Sequence, residues 1–349
     1  MDVFHGPSPS GPRIVVIGGG TGLSTMLRGL KHYSDDLTAV VTMSDDGGGS
    51  GRLRSEIGMP PPGDVRNCIL ALSNTEAMME KLLLYRFTEG SLAGQNMGNL
   101  FLAALCGICG SFEQAVSSMS EILAVKGRVL PVTSSDIALE AIFDNGAVVR
   151  GESRIFQSKK QLDCRIRRVR LVPERPAALP DVLESIRAAE LIVLGPGSLY
   201  TSVIPNLLVD GVCQAILDSD ALKVYVCNIM TQDGETEGYT ASDHVRAIFD
   251  HSCPGLFSLC LVNSEPLPER LRAQYESEGA EPLHIDFAAL SAMGIETVLA
   301  PLASNDTDFA RHDPDRLART LLRLHASRSV RLADGSRYVL ETSSGRGEL

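Results

Sequence analysis

At 349 residues, with 44% hydrophobic and 21% charged side chains, the chain is long enough for one large domain or two modest ones around a proper core. Its formal net charge of −11 argues against nucleic acid as a partner, because that needs a broad basic surface; a small nucleotide held by local devices remains open. Eight cysteines over this length are too sparse for a disulfide scaffold and agree with a reducing compartment.

Met1–Pro12 is a polar lead rich in Pro, Ser and Gly, without the apolar core of a signal peptide. No apolar run approaches a membrane span, so a cytoplasmic protein without a membrane partner is expected. Arg13–Ile17 reads as a buried strand, Gly18, Gly19, Gly20, Thr21 and Gly22 form a sharp break, and helical spacing resumes at Leu23. Strand, glycine loop and helix in that order leave backbone N–H groups free to hold phosphate. Leu23 occupies the last glycine position of the dinucleotide fingerprint, so a tight turn without a ligand is the competing reading.

Leu37–Met43 is the next strand, followed by TMSDDGGGSGRLR. There Asp45 and Asp46 can accept from a ribose or hold Mg²⁺ against a diphosphate, or the stretch is a mobile glycine-rich surface loop. PPPGDVRN comes next, with Asp64 placed to cap the helix Asp64–Ser73. Arg66 and Asn67 sit in the first turn, where a cation is unfavourable unless an anion lies nearby. A helix over Ala77–Phe87 precedes GQNMGN, in which Asn96 and Asn99 either contact sugar and base or, for Asn99, cap the helix Asn99–Cys106. Cys106 and Cys109 form a lone CxxC that fits a packed helix end better than a metal site.

From Val129 to Val172 the texture turns β-rich, an expected insertion. Ala138–Phe143 and Ala147–Arg150 flank Asp144-Asn145-Gly146, a hairpin signal suited to a type I′ turn, and Arg165, Arg167, Arg168 and Arg170 read as a solvated strand face. The α/β rhythm returns with a helix over Asp181–Ala189 and a strand over Leu191–Leu194. The latter runs into GPGSLY, where Gly195, Gly197 and Ser198 can form a second anion nest. Strands follow at Lys223–Cys227, ahead of the polar loop Asn228–Thr236, and at Leu256–Val262. A terminal hairpin is expected from Ser329–Leu332 and Arg337–Glu341, with a loose tail beyond. The implied architecture is an α/β, doubly wound, mostly parallel sheet of Rossmann-like kind. Its nucleotide-binding domain spans 13–325, with the β-rich insertion at about 129–172 and a hairpin and tail over 326–349. Polar loops after several strands point to one nucleotide cleft. No convincing nucleophile stands out, so catalytic residues are not assigned.

The stretches VVIGGGTGLSTMLRGLK, DDGGGSGRLR, PPGDVRN, MGNL, GPGSLYTSVIPNLLV and NIMTQDGETEGYTASDH, in this order, resemble the CofD-like superfamily and specifically its YvcK (gluconeogenesis factor) branch. The resemblance runs from about Arg13 to about Leu324 and implies a nucleotide cleft at the switch point of a doubly wound core. The YvcK branch implies a non-catalytic UDP-sugar-binding regulator linked to gluconeogenic growth, cell shape and wall-precursor supply, needing no cofactor, with UDP-N-acetylglucosamine the favoured ligand. The CofD branch implies a Mg²⁺-dependent transferase that moves a phospholactyl group from a guanosine diphosphate donor to a deazaflavin. A homodimer is implied by the family. Tyr275 in AQYESEGAEP and Arg311 in DFARHDP match positions associated with the UDP-sugar, and Pro314 stands where some members carry a threonine after RHD.

Overall fold

A computed structural model describes residues 11–162, 164–277, 279–304 and 309–334. Seven parallel strands make the main sheet: β1 (Ile14–Gly18), β2 (Leu37–Val41), β3 (Arg128–Pro131), β7 (Leu191–Leu194), β8 (Leu222–Val226), β9 (Leu259–Asn263) and β10 (Glu296–Ala300). Their order is β10-β9-β8-β7-β1-β2-β3. β1 and β7 are wholly buried, as expected of apolar strands covered by helices on both faces. β1 pairs with β2 on one side (Ile14 opposite Leu37) and β7 on the other (Ile14 opposite Leu191). The chain therefore builds outward in one direction from β1 and in the other from β7. The point where the order reverses lies between them, where ligands of open α/β sheets bind.

A second, antiparallel sheet, β5-β4-β6, consists of β4 (Ala138–Phe143), β5 (Val148–Arg150) and β6 (Ile166–Val172). The insertion differs from its expected form in two ways. β3 belongs to the main sheet, as the partner of β2, and the helix Glu152–Leu162 interrupts the β texture. That helix is mostly polar, with Ile155 buried and Phe156 exposed, so it carries little periodic signal. The hairpin forms where predicted, but as a three-residue loop: Phe143 N–H donates to Ala147 O, Gly146 N–H donates to Phe143 O, and Gly146 alone takes a positive φ (+84°). Arg167, Arg168 and Arg170 are exposed on β6, the solvated face expected.

Three further differences lie toward the C-terminus. β9 starts later than expected, and β10, an edge strand with only Ala300 buried, was not anticipated. The helix Pro314–Asp334 runs straight through the expected strand Ser329–Leu332. Asp313 starts this helix by accepting from Asp315 N–H and Arg316 N–H, and Leu317, Ala318, Leu321 and Leu324 continue a buried stripe. Cooperative extension of an anchored helix overrides the short β-prone run at its end. The second expected strand, Arg337–Glu341, the tail, and Met1–Ser10 of the lead lie outside the described residues. All eight cysteines are free thiols, and the helix Met97–Cys109 ends at the CxxC, with Gly110 left-handed beyond it. Among the described residues no single helix is long and apolar enough to cross a membrane.

Candidate functional site

The loops that follow β1, β7 and β8 converge at the switch point. After β1 the chain runs through extended Gly19 into the helix Gly20–Leu30. Gly22 packs against the β7 loop so closely that a Cβ there would stand 2.5 Å from the Pro196 carbonyl oxygen. After β7, Gly197 and Asn228 exchange two hydrogen bonds: Gly197 N–H donates to Asn228 Oδ1 (3.2 Å), and Asn228 Nδ2 donates to Gly197 O (2.9 Å). Ser198 Oγ donates to Gln232 Oε1 at 2.8 Å. The β7 and β8 loops are thereby locked together.

Between them lies a cleft of about 230 Å³, walled by Thr21 and Gly22, by Gly197 and Ser198, by Asn228–Gln232 and by Ala310–His312. Arg311 is the one lysine or arginine among its described lining residues, and its guanidinium lies 4.9 Å from the centre of the Phe309 ring. Ser304 N–H donates to Arg311 O and Asp313 N–H to Leu302 O, so the short segment carrying Arg311 is held in place by its backbone. His312 is buried, and its Nε2 has no hydrogen-bond partner. Burial pushes this imidazole down to about 4, against the pull of the Cys227 backbone, so the ring is neutral near pH 7.

Tyr275 stands behind this wall and does not line it. Its hydroxyl accepts from Ala310 N–H at 3.1 Å, and its ring packs against a small cluster formed by Ile229, Met230, Leu267 and Ala303. The residue therefore braces the segment that presents Arg311.

Two helix starts that read as anion sites already hold carboxylates of the chain. Asp64 Oδ2 accepts from Gly20 N–H at 2.7 Å, so Asp64 reaches across to the first glycine loop. It does not cap its own helix, Gly63–Leu72, whose N-cap is Pro62, because residue 64 already lies inside that helix. Burial, reinforced by Asp45, pushes Asp64 up to about 6 despite the Gly20 N–H and the charge of Arg66. After Ser198, Glu235 Oε1 accepts from Tyr200 N–H (2.9 Å) and Thr201 N–H (3.0 Å). Burial raises Glu235 to about 7 against these donors.

Arg66, Asn67, Asn96 and Asn99 form a network away from the cleft. Arg66, 7% exposed, donates to Asn99 Oδ1 (2.8 Å) and Asn67 Oδ1 (2.7 Å). Burial and the neighbouring Arg86 lower its pKa to about 10. Asn96, not Asn99, caps the helix Met97–Cys109: its Oδ1 accepts from Asn99 N–H while its Nδ2 donates to Leu84 O. The four residues couple two helices behind the glycine loops. Asp46 is likewise engaged internally, Oδ1 accepting from Ser153 N–H (2.9 Å) and Oγ (2.6 Å).

Asp45 lines a second cavity, of about 320 Å³, that shares Ser198 and Gln232 with the first. Glu152, from the inserted helix, enters this cavity wall. Burial and the surrounding carboxylates of Asp45, Asp64, Glu235 and Asp46 push Glu152 well above the usual range. Glu152 carried no motif signal, whereas Gln232, Glu235 and His312 sit inside or beside polar stretches conspicuous in the sequence. Among the described residues no three His, Cys, Asp or Glu side chains are grouped to hold one metal ion.

The chain matches the family model described as 2-phospho-L-lactate transferase CofD over residues 14–303. It is 47% identical to the gluconeogenesis factor of Bacillus subtilis (strain 168) over 314 residues, covering 90% of this chain and 98% of that one. It is 48% identical to the gluconeogenesis factor of Halalkalibacterium halodurans over 310 residues, 88% of this chain and 95% of the other. The crystal structure of protein BH3568 from Bacillus halodurans superposes with a TM-score of 0.87 at 47% identity, over 90% of this chain and all of that one. A family model spanning most of the sheet, relatives aligned over nearly their whole length and a shared fold agree: the chain belongs to the CofD family, in its gluconeogenesis-factor (YvcK) branch.

Proposed function

We propose that the switch-point cleft binds a UDP-sugar, UDP-N-acetylglucosamine foremost, and that the protein acts as a ligand-responsive regulator of cell shape and wall-precursor supply during gluconeogenic growth. The observation that carries this reading is the composition of the cleft wall. One arginine, Arg311, is held beside the backbone of two glycine loops, while the neighbouring imidazole is neutral. A single guanidinium can pair with a diphosphate, and the neutral His312 and the amides of Asn228 and Gln232 suit uncharged hydrogen-bonding groups. Ser198 Oγ is committed to Gln232 Oε1, and His312, held down to about 4, is a weak base near pH 7, which favours binding over turnover. Isothermal titration calorimetry with UDP-N-acetylglucosamine and with GDP, each with and without Mg²⁺, tests the reading. Saturable UDP-N-acetylglucosamine binding that is indifferent to Mg²⁺ is expected, and preference for GDP with Mg²⁺ would overturn it.

The description of the matching family model favours a second reading, a transferase using a nucleoside diphosphate donor and Mg²⁺. Asp46 and Asp64 each hold a chain N–H on one carboxylate oxygen, so a metal would be met by the other. Product formed from a guanosine diphosphate donor, a deazaflavin acceptor and Mg²⁺ by the folded protein would establish it.

A further inference from the structure

The second cavity has no assigned role, and its wall differs in kind from the first. It lies between the inserted helix Glu152–Leu162 and the loops after β2, β7 and β8, with Ser198 and Gln232 forming its boundary with the nucleotide cleft. Asp45, Glu152 and Glu235 contribute three carboxyl groups, and no lysine, arginine or histidine is among the described residues that line it. A further phosphate or a carboxylate would meet three carboxyl groups there and no cation among the described lining residues.

Glu235 is 3% exposed. Tyr200 N–H and Thr201 N–H both donate to Oε1, and Oε2 is enclosed with no partner at hydrogen-bond geometry. An unsatisfied buried carboxyl oxygen is costly, and a ligand hydroxyl or amide would relieve that cost. Ile155 and Phe156 supply an apolar side to the same cavity. Carboxyl groups with an apolar face suit the mixed C–H and O–H surface of a pyranose ring.

We propose that this cavity is the subsite for the uncharged, polyhydroxylated glycosyl group of the nucleotide sugar, with the diphosphate passing over Ser198 and Gln232 from the Arg311 cleft. The proposal rests on the nucleotide reading given above. It also gives the insertion a role, since Glu152, Ser153, Phe156 and Gln157 reach the cavity from it.

The test is calorimetry on the full chain in EDTA with UDP and with UDP-N-acetylglucosamine, for the wild type, Gln157→Trp and Glu152→Ala. Gln157 is exposed, so the tryptophan fills the cavity from its mouth without disturbing the core, and thermal unfolding checks the integrity of both variants. In the wild type the sugar nucleotide should bind at least about tenfold tighter than UDP. Both substitutions should shrink that ratio toward about one, chiefly by weakening UDP-N-acetylglucosamine rather than UDP. If UDP binds but the sugar adds nothing, or if folded variants keep the ratio, the glycosyl subsite is overturned while the nucleotide reading stands. If a high ratio appears only when Mg²⁺ replaces EDTA, the carboxyl groups serve a cation and the proposal fails. Absence of UDP binding overturns the nucleotide reading itself.

Discussion

Arg311 combines exposure with fixed placement: its backbone is tied to Ser304, and Phe309 lies beneath its guanidinium. Loss of that guanidinium in Arg311→Ala should weaken UDP-N-acetylglucosamine by about 10–100-fold, the value of a charge-assisted pair at a partly exposed site, with little change in thermal stability. Arg311→Lys should recover only part of the affinity, because an ammonium cannot match the planar fork. Calorimetry of both variants decides; wild-type affinity in Arg311→Ala would remove this residue from the site. Tyr275→Phe should act indirectly, through the Ala310 N–H left without its acceptor, and therefore more weakly than Arg311→Ala. Arg311, Gly197, Ser198 and Asn228, which line the cleft, are conspicuous in the sequence because each lies in a short polar stretch at a strand end or beside a family motif. Asn96, Asn99, Arg66 and Asn67 look equally polar in sequence. Arg66 donates to Asn99 and Asn67 while Asn96 caps the helix carrying Asn99, and the Arg66–Asn99 bond is a pairing over 33 residues that no local pattern reveals.

Among the elements, the inserted helix Glu152–Leu162 has a role in the site that its sequence conceals. Eleven mostly polar residues with Ile155 buried give no clear period, yet the helix reaches both the glycine-rich loop and the second cavity. Asp46 is the tie: one carboxylate oxygen accepts both the N–H and the hydroxyl of Ser153 at the start of that helix, a position favourable to negative charge. Asp46→Ala should cost about 1–3 kcal/mol and speed amide exchange selectively over 152–162. Exchange that rises uniformly along the chain would mean the tie is not local. By contrast, β1, β2 and β7 are legible nearly to the residue, because strands buried on both faces read as unbroken apolar runs. β10 is the converse case, an edge strand whose pattern of exposure carries no such run.

Across the molecule, buried carboxyl groups with raised pKa values shape the response to pH. Glu235 is raised from 4.5 to about 7 in the fold and Asp64 from 3.8 to about 6. A raised carboxyl pKa favours the folded state while the group is protonated; that contribution is full below the unfolded pKa and is lost as pH climbs through the folded one. For Glu235 the window is about pH 4.5 to 7, and its size is about 3 kcal/mol from a shift of about 2.5 units. His312 acts oppositely: its pKa falls from 6.5 to about 4, so its contribution is present above the former and is lost as pH drops toward the latter. The two trends overlap, and the wild-type profile alone does not separate them. Glu235→Gln keeps an acceptor for Tyr200 and Thr201 N–H and cannot ionise, so the difference between variant and wild type isolates the carboxyl. Urea unfolding at intervals from pH 4.5 to 7.5 should show Glu235→Gln gaining on the wild type as pH rises and levelling off above about 7. A constant difference would mean that Glu235 keeps its charge in the fold, and that its enclosed oxygen is satisfied by something other than a proton.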